Sequence, residues 1–144
     1  MGKKNALAAK ALSQAAEGRV RGIAFDAGGL IALERKSRRV FSLLATALEH
    51  GAQIVVPATA LAQVIRNPAK QVRLWRMVQH DGTEVVALDG GHAQAVGALL
   101  ARTGTSDITD VHVVICAQRS GLVVITSDPL DLRRLDPTLR LVTV

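Results

Sequence analysis

The sequence predicts an α/β fold, a three-layer sandwich in which a central parallel sheet of about five strands is flanked by helices. Three observations predict it. Short apolar, β-branched runs such as Ile54-Val55-Val56 and Leu122 to Ile125 lack the in–out alternation of a sheet with one wet face, so both faces are covered. These runs alternate along the chain with segments of helical spacing. The 144 residues, 49% of them hydrophobic, have the size of one domain and enough apolar surface for its core.

Each element has its own local reason. Residues 5–17 are rich in alanine, the strongest helix former, and are expected to be helical. The run from Arg21 to Phe25 ends at Asp26 and reads as a buried first strand. Ala27 to Arg35 and then residues 39–49 follow as helices, the second carrying Val40, Leu43, Leu44, Ala47 and Leu48 on one face and stopping at Gly51. Ile54-Val55-Val56 is the second strand, closed by Pro57; Ala58 to Arg66 is a helix stopped by Asn67-Pro68. Residues 69–79 form another helix, Asp81-Gly82 a turn, Glu84 to Leu88 the third strand and residues 92–102 the next helix. Ser106 is read as the N-cap of a helix from Asp107 to about Arg119, ended by Gly121. Leu122 to Ile125 is the fourth strand, Pro129 opens a short helix, and Arg140 to Val144 is a last, edge-like strand. The expected organisation is a helical extension over residues 1–20 and one α/β domain over residues 21–144.

Bulk chemistry narrows the function. A net charge of +6 favours a polyanionic partner, nucleic acid first. Aromatic residues make up only 2% and Tyr is absent, which argues against a base-stacking platform and directs binding to phosphates. A lone cysteine, Cys116, precludes a disulfide within the chain. Its apolar surroundings, Val113-Val114-Ile115-Cys116-Ala117, read as those of a buried, inert thiol in a reducing cytoplasm. No apolar run approaches the roughly 18 residues of a membrane span, and the stretch after Met1-Gly2-Lys3-Lys4 carries Lys10 and Gln14 where a signal peptide needs an apolar centre.

The chemistry is expected beyond the carboxyl ends of the strands, where open parallel sheets build their sites. Asp26 ends the first strand and Asp128 follows the fourth, in Ile125-Thr126-Ser127-Asp128. Asp107 and Asp110 are three apart and share a helix face, as do Asp128 and Asp131. Aspartates also cap helices, and Asp107 and Asp131 taken alone fit that role. Carboxylates gathered in one cleft repel one another until their pKa values rise or a cation neutralises them. Carboxylate oxygens suit magnesium or manganese, which can activate water against a phosphodiester.

Other chemistries lack support. The four histidines, His50, His80, His92 and His112, form no HxH or HExxH pair, so zinc is not expected. Thr126 and Ser127 have no histidine at a triad spacing, and Gly28-Gly29 is neither a dinucleotide fingerprint nor a P-loop. Those glycines are read as allowing close helix packing.

The same residues carry a family resemblance. From about Gly22 to its end the chain resembles the PIN domain, and within it the VapC-type toxins of bacterial toxin–antitoxin pairs. The matching pieces are Ala24-Phe25-Asp26-Ala27, Thr109-Asp110-Val111-His112-Val113-Val114 and Val124-Ile125-Thr126-Ser127-Asp128-Pro129. The resemblance implies a PIN-like sandwich and magnesium- or manganese-dependent (Mg2+ or Mn2+) cleavage of RNA. It implies that Asp26 is the first metal-binding acid, Asp110 the third and Asp128 the fourth, with Asp107 and Asp131 as further acids at the rim. It also implies a VapB-like antitoxin as partner and a homodimer formed through helices.

One position departs from the family. The glutamate usual in the helix after the second strand is matched by Gln63, in Ala60-Leu61-Ala62-Gln63-Val64-Ile65-Arg66. A glutamine offers a carbonyl oxygen but no charge, so metal binding is expected to weaken. Glu34 is a candidate to compensate. Arg66, and the basic run Arg35, Lys36, Arg38 and Arg39, are candidate phosphate contacts that ordinary solvated arginines would explain as well. The readings are therefore an active ribonuclease, or a catalytically weakened PIN domain that binds RNA or protein. A haloacid-dehalogenase phosphatase is disfavoured, because its second acid would fall at Gly28 and its late lysine has no counterpart after Lys70.

Overall fold

The computed structural model describes residues 21–144; the helix expected over residues 5–17 lies outside them. Five strands, β1 (Gly22–Phe25), β2 (Gln53–Pro57), β3 (Thr83–Val86), β4 (Leu122–Thr126) and β5 (Leu141–Thr143), form one sheet in the order β3-β2-β1-β4-β5. Every pairing is parallel, with Ile23 opposite Ile54 on one side and Val123 on the other. Among the described residues seven α-helices surround it: α1 (Ala27–Glu34), α2 (Arg38–Glu49), α3 (Ala58–Val64), α4 (Val72–Val78), α5 (Gly90–Thr103), α6 (Ile108–Ser120) and α7 (Pro129–Leu135). The α/β sandwich read from the sequence is the one found.

The central strands are buried throughout, β1 and β4 at every residue, which is why they read as continuous apolar runs. Phe25, Leu30 and Leu33 are almost fully buried, each stabilising the fold by roughly 1.5–3 kcal/mol relative to exposure. The helix α6 is buried without interruption from Val111 to Ala117. It lies across β1, β2 and β4 and is flanked by α3, α5 and α7, so it has almost no wet face and little amphipathic pattern. Gly121, at φ +62°, ends it in the left-handed conformation that glycine adopts freely.

Some boundaries differ from the sequence reading, each for a local reason. The N-cap of α6 is Asp107, not Ser106; its carboxylate accepts the Asp110 N–H at 3.0 Å, so the helix begins at Ile108. The helix expected to reach Arg66 stops at Val64, because the buried Gln71 amide accepts the Arg66 N–H at 3.1 Å and donates to the Val64 carbonyl at 2.9 Å. Residues 68–70 are a single 3₁₀ turn before α4. The helix α5 starts at Gly90 rather than at residue 92, with Asp89 accepting from the His92 N–H at 2.9 Å.

Candidate active site

The strand order reverses direction at β1: the chain proceeds outward through β2 and β3, then returns to place β4 on the other side. A crevice opens at such a switch point beyond the carboxyl ends of the strands. Asp26, immediately after β1, and Asp128, two residues after β4, both stand there.

Asp26 is built into the floor and is only 5% exposed. Its carboxylate accepts the Gly29 N–H at 2.7 Å, capping α1, and accepts a short hydrogen bond from the Thr126 hydroxyl. Thr126 also accepts the Asp128 N–H at 2.9 Å, so one buried hydroxyl couples the ends of β1 and β4. Burial pushes the Asp26 carboxyl above its usual range and the negative charge of Asp128 adds to this, while the bonds from Thr126 and Gly29 oppose it.

Two glycines make the junction possible. A Cβ on Gly29 would stand 2.4 Å from the Ile125 carbonyl oxygen, and one on Gly28 2.0 Å from the Ser127 hydroxyl oxygen. The first turn of α1 therefore lies against the end of β4, which is the close packing read from Gly28-Gly29.

The first turn of α6 brings the remaining acids. Asp110 is half-buried, and its carboxyl is pushed up to about 7, first by burial and then by the charges of Asp107, Asp26 and Asp131. That response places it electrostatically among acids from β1, α6 and α7. Asp131, on exposed α7, is raised by a side-chain hydrogen bond to Asp128 and by its charge, and pairs with Arg134 at 3.5 Å. Asp107, Asp110, Asp131 and Arg134 line a cleft of about 300 Å³ together with Thr103 and Thr105.

The five aspartates singled out in the sequence thus form one linked acidic group. The other candidates do not join it. Glu34 closes the far end of α1, roughly 12 Å along a helix of 1.5 Å rise from Asp26, and accepts the Gln71 side-chain amide at 3.1 Å. Gln63 is exposed on α3, which carries no acid. Arg66 turns a guanidinium N–H to the Ile65 carbonyl at 2.7 Å. Arg35, Lys36, Arg38 and Arg39 sit at the α1–α2 junction. Thr126 and Arg134 escaped the sequence reading: Thr126 enters it only as a triad hydroxyl lacking a histidine, and Arg134 stands out only by its spacing of three from Asp131.

The donor chemistry suits a hard divalent cation. All the groups are carboxylates, and burial together with the charges of Asp107, Asp26 and Asp131 pushes the Asp110 carboxyl up to about 7, a repulsion that a bound cation would offset. Asp26, Asp110 and Asp128, with Asp107 at the rim, are the residues that would hold the ion. Magnesium keeps several of its waters and does not require all of them to touch it.

A second concavity, of about 470 Å³, lies between α2 and α4. Its lining is apolar, with Phe41, Leu44, Leu48 and Met77, and carries Arg73 and Arg76. No helix among the described residues is long and apolar enough to cross a membrane.

Comparison with known proteins agrees with this architecture. A family model described as PIN domain matches residues 23–136. The chain is similar in structure to the crystal structure of VapBC2 from Rickettsia felis bound to a DNA fragment from their promoter. The TM-score is 0.63 over 83% of this chain and 96% of the other, at 14% identity, a likeness of fold. No curated protein matches the sequence.

Proposed function

We propose, from the premise that the chain belongs to the PIN domain family, that it is a magnesium- or manganese-dependent endoribonuclease and the toxin of a toxin–antitoxin pair. The observation that carries this is the linked acidic group at the switch point: Asp110 feels Asp107, Asp26 and Asp131, while Asp26 feels Asp128.

In this reading Asp26, Asp110 and Asp128, with Asp107, hold the ion. When bound, such an ion lowers the pKa of a coordinated water and offsets the charge of a phosphodiester undergoing displacement. The chain's own residues prepare that place. The Gly29 N–H and the Thr126 hydroxyl fix the Asp26 carboxylate in one orientation and favour its ionised form against the cost of burial. Asp107 holds the first turn of α6, so that Asp110 is presented to the cleft by a rigid helix. Arg134, paired with Asp131 on the cleft wall, is placed to meet a backbone phosphate. The basic surplus, 18 Lys and Arg against 12 Asp and Glu, draws RNA to a notch that is itself acidic, and such binding weakens as salt rises.

The antitoxin reading is supported by the VapBC2 likeness and by the apolar groove between α2 and α4, whose arginines favour an amphipathic segment carrying acids. Dimerisation through helices would use the same type of surface.

The test is RNA cleavage by the purified protein. Cleavage requires magnesium or manganese, stops with EDTA and is abolished by Asp26→Asn. Cutting that persists under both treatments would sink the proposal. A second reading rests on Gln63: with an uncharged amide where the family usually has a glutamate, the domain would bind metal weakly and serve as a binding module. It fails if the wild type binds magnesium well and cleaves as fast as Gln63→Glu.

A further inference from the structure

The opposite face of α6 carries a second group of donors, of different chemistry. His112 and Cys116 are four residues apart and so lie one turn above the other on that helix. His92, in the first turn of α5, packs edge-on to His112 with ring centroids 5.3 Å apart and an interplanar angle of 87°. One ligand atom from each of His92, His112 and Cys116 lies within 4.8 Å of the other two. Among the described residues they are the one set of three or more His, Cys, Asp or Glu side chains gathered so closely.

Two of the donor atoms are buried without a hydrogen-bond partner: Nδ1 of His92 and Nε2 of His112. His112 is 0% exposed and Cys116 3%. A buried ring nitrogen left unsatisfied is destabilising, so a ligand that meets it is favoured. The Ala87 carbonyl also lies near the His112 ring, and an imidazole binds metal in its neutral form. The other nitrogen, Nδ1, stands 2.7 Å from the Thr59 hydroxyl. If Nδ1 donates that bond, Nε2 is left as a lone pair facing the cluster, the outer hydrogen bond by which proteins orient a histidine ligand.

We propose that His92, His112 and Cys116 form a binding site for a thiolate- and imidazole-preferring transition ion of the zinc type, separate from the acidic cleft. Two nitrogens and one sulfur match the ligand preferences of that class and not those of magnesium. Tetrahedral coordination with bonds of about 2.0–2.3 Å places donor atoms roughly 3.3–3.8 Å apart, so the side chains close by at most about 1.5 Å from their present positions. His92 is half-buried and has room to make that adjustment. The thiol, which burial pushes up to about 12 without an ion, gives its proton to solvent as the thiolate takes the metal. The ion would tie the start of α5 to the middle of α6, closing the side of the domain beside the half-exposed edge strand β3.

The site is tested by titrating the metal-free, full-length protein with cobalt(II) as a spectroscopic stand-in for zinc. One equivalent is expected to bring up a thiolate-to-cobalt charge-transfer band, which zinc then bleaches. Cys116→Ala should abolish the band and His92→Gln should weaken binding at least tenfold, while Asp26→Asn leaves both unchanged. His92 is only partly buried, so its variant is available if Cys116→Ala fails to fold. Zinc should also raise the melting temperature of the wild type more than that of His92→Gln. No charge-transfer band in the wild type, or a band lost in Asp26→Asn and kept in His92→Gln, overturns the proposal. Neither result bears on whether the acidic cleft cleaves RNA.

Discussion

One helix presents two unlike faces. The first turn of α6 delivers Asp107 and Asp110 to an open, largely acidic cleft, and on its other side the same helix buries His112 and Cys116 beside α5. The acids are partly solvated, mutually repelling and set around a groove large enough for a substrate. The His–Cys set is compact, with His112 and Cys116 buried and His92 half-buried. The contrast shows what each can hold. Carboxylates around an open cleft suit a hard ion that keeps several of its own waters. Imidazoles and a thiol suit a borderline-soft ion of the zinc type, with its fourth position left to water.

The most direct way to break this contrast is Asp26→Asn. If the faces are independent, RNA cleavage falls on the order of 10²–10³-fold, as when a preorganised electrostatic group is removed, while cobalt binding at Cys116 is unaffected. Parallel assays of cleavage and absorbance check it, and joint loss would unite the sites.

Gly29→Ala attacks the scaffold of the acidic face alone. Its Cβ would meet the Ile125 carbonyl at 2.4 Å, and backbone cannot swing aside. A loss of about 1–3 kcal/mol is expected in urea unfolding. Gly28→Ala should cost less, because it meets the rotatable side chain of exposed Ser127.

Gln63→Glu sharpens the comparison by adding a carboxylate on α3, where the family resemblance implies a glutamate. Magnesium affinity, read by isothermal calorimetry, is expected to rise roughly tenfold, the lower end of what changes around a metal site produce. An unchanged affinity would place residue 63 outside the metal's reach.

The smallest effect is a pH dependence. The folded Asp110 carboxyl titrates at about 7 against 3.8 for the unstructured group. Between those values the native state holds a proton that the unfolded chain has released, so this group's contribution to stability is lost as pH rises through about 7. Asp110→Asn removes the titration. In EDTA, the variant's melting temperature should therefore gain on the wild type from about pH 5 to about pH 8, and magnesium should narrow the gap at the upper end. A constant difference across that range would show that Asp110 does not feel its neighbours. Half-exposure keeps the effect modest.

Much of this was legible in the residues. The apolar runs of β1, β2 and β4 could only be strands covered on both faces, and the acids at their ends followed from the parallel architecture. Asp26 ends the apolar run that read as a buried strand, and it is itself buried. Helix limits were less legible where a side chain replaces a backbone bond: Gln71 stops α3 from five residues downstream of its own contact at Arg66. The role of Thr126 was hidden because its partner, Asp26, lies 100 residues away.

Sequence alone determined the layered α/β architecture and singled out the aspartates as candidate chemistry, because periodicity and residue type are local properties; that Gln63 stands where a glutamate is usual is what the family resemblance implies. Only the tertiary structure decided which acids share a field, that Glu34 is committed to Gln71, and that a cysteine read as inert has two histidines beside it. The spacing of four between His112 and Cys116 was always present. What it lacked was the third donor, His92, which twenty residues of chain and a helix–helix contact bring alongside.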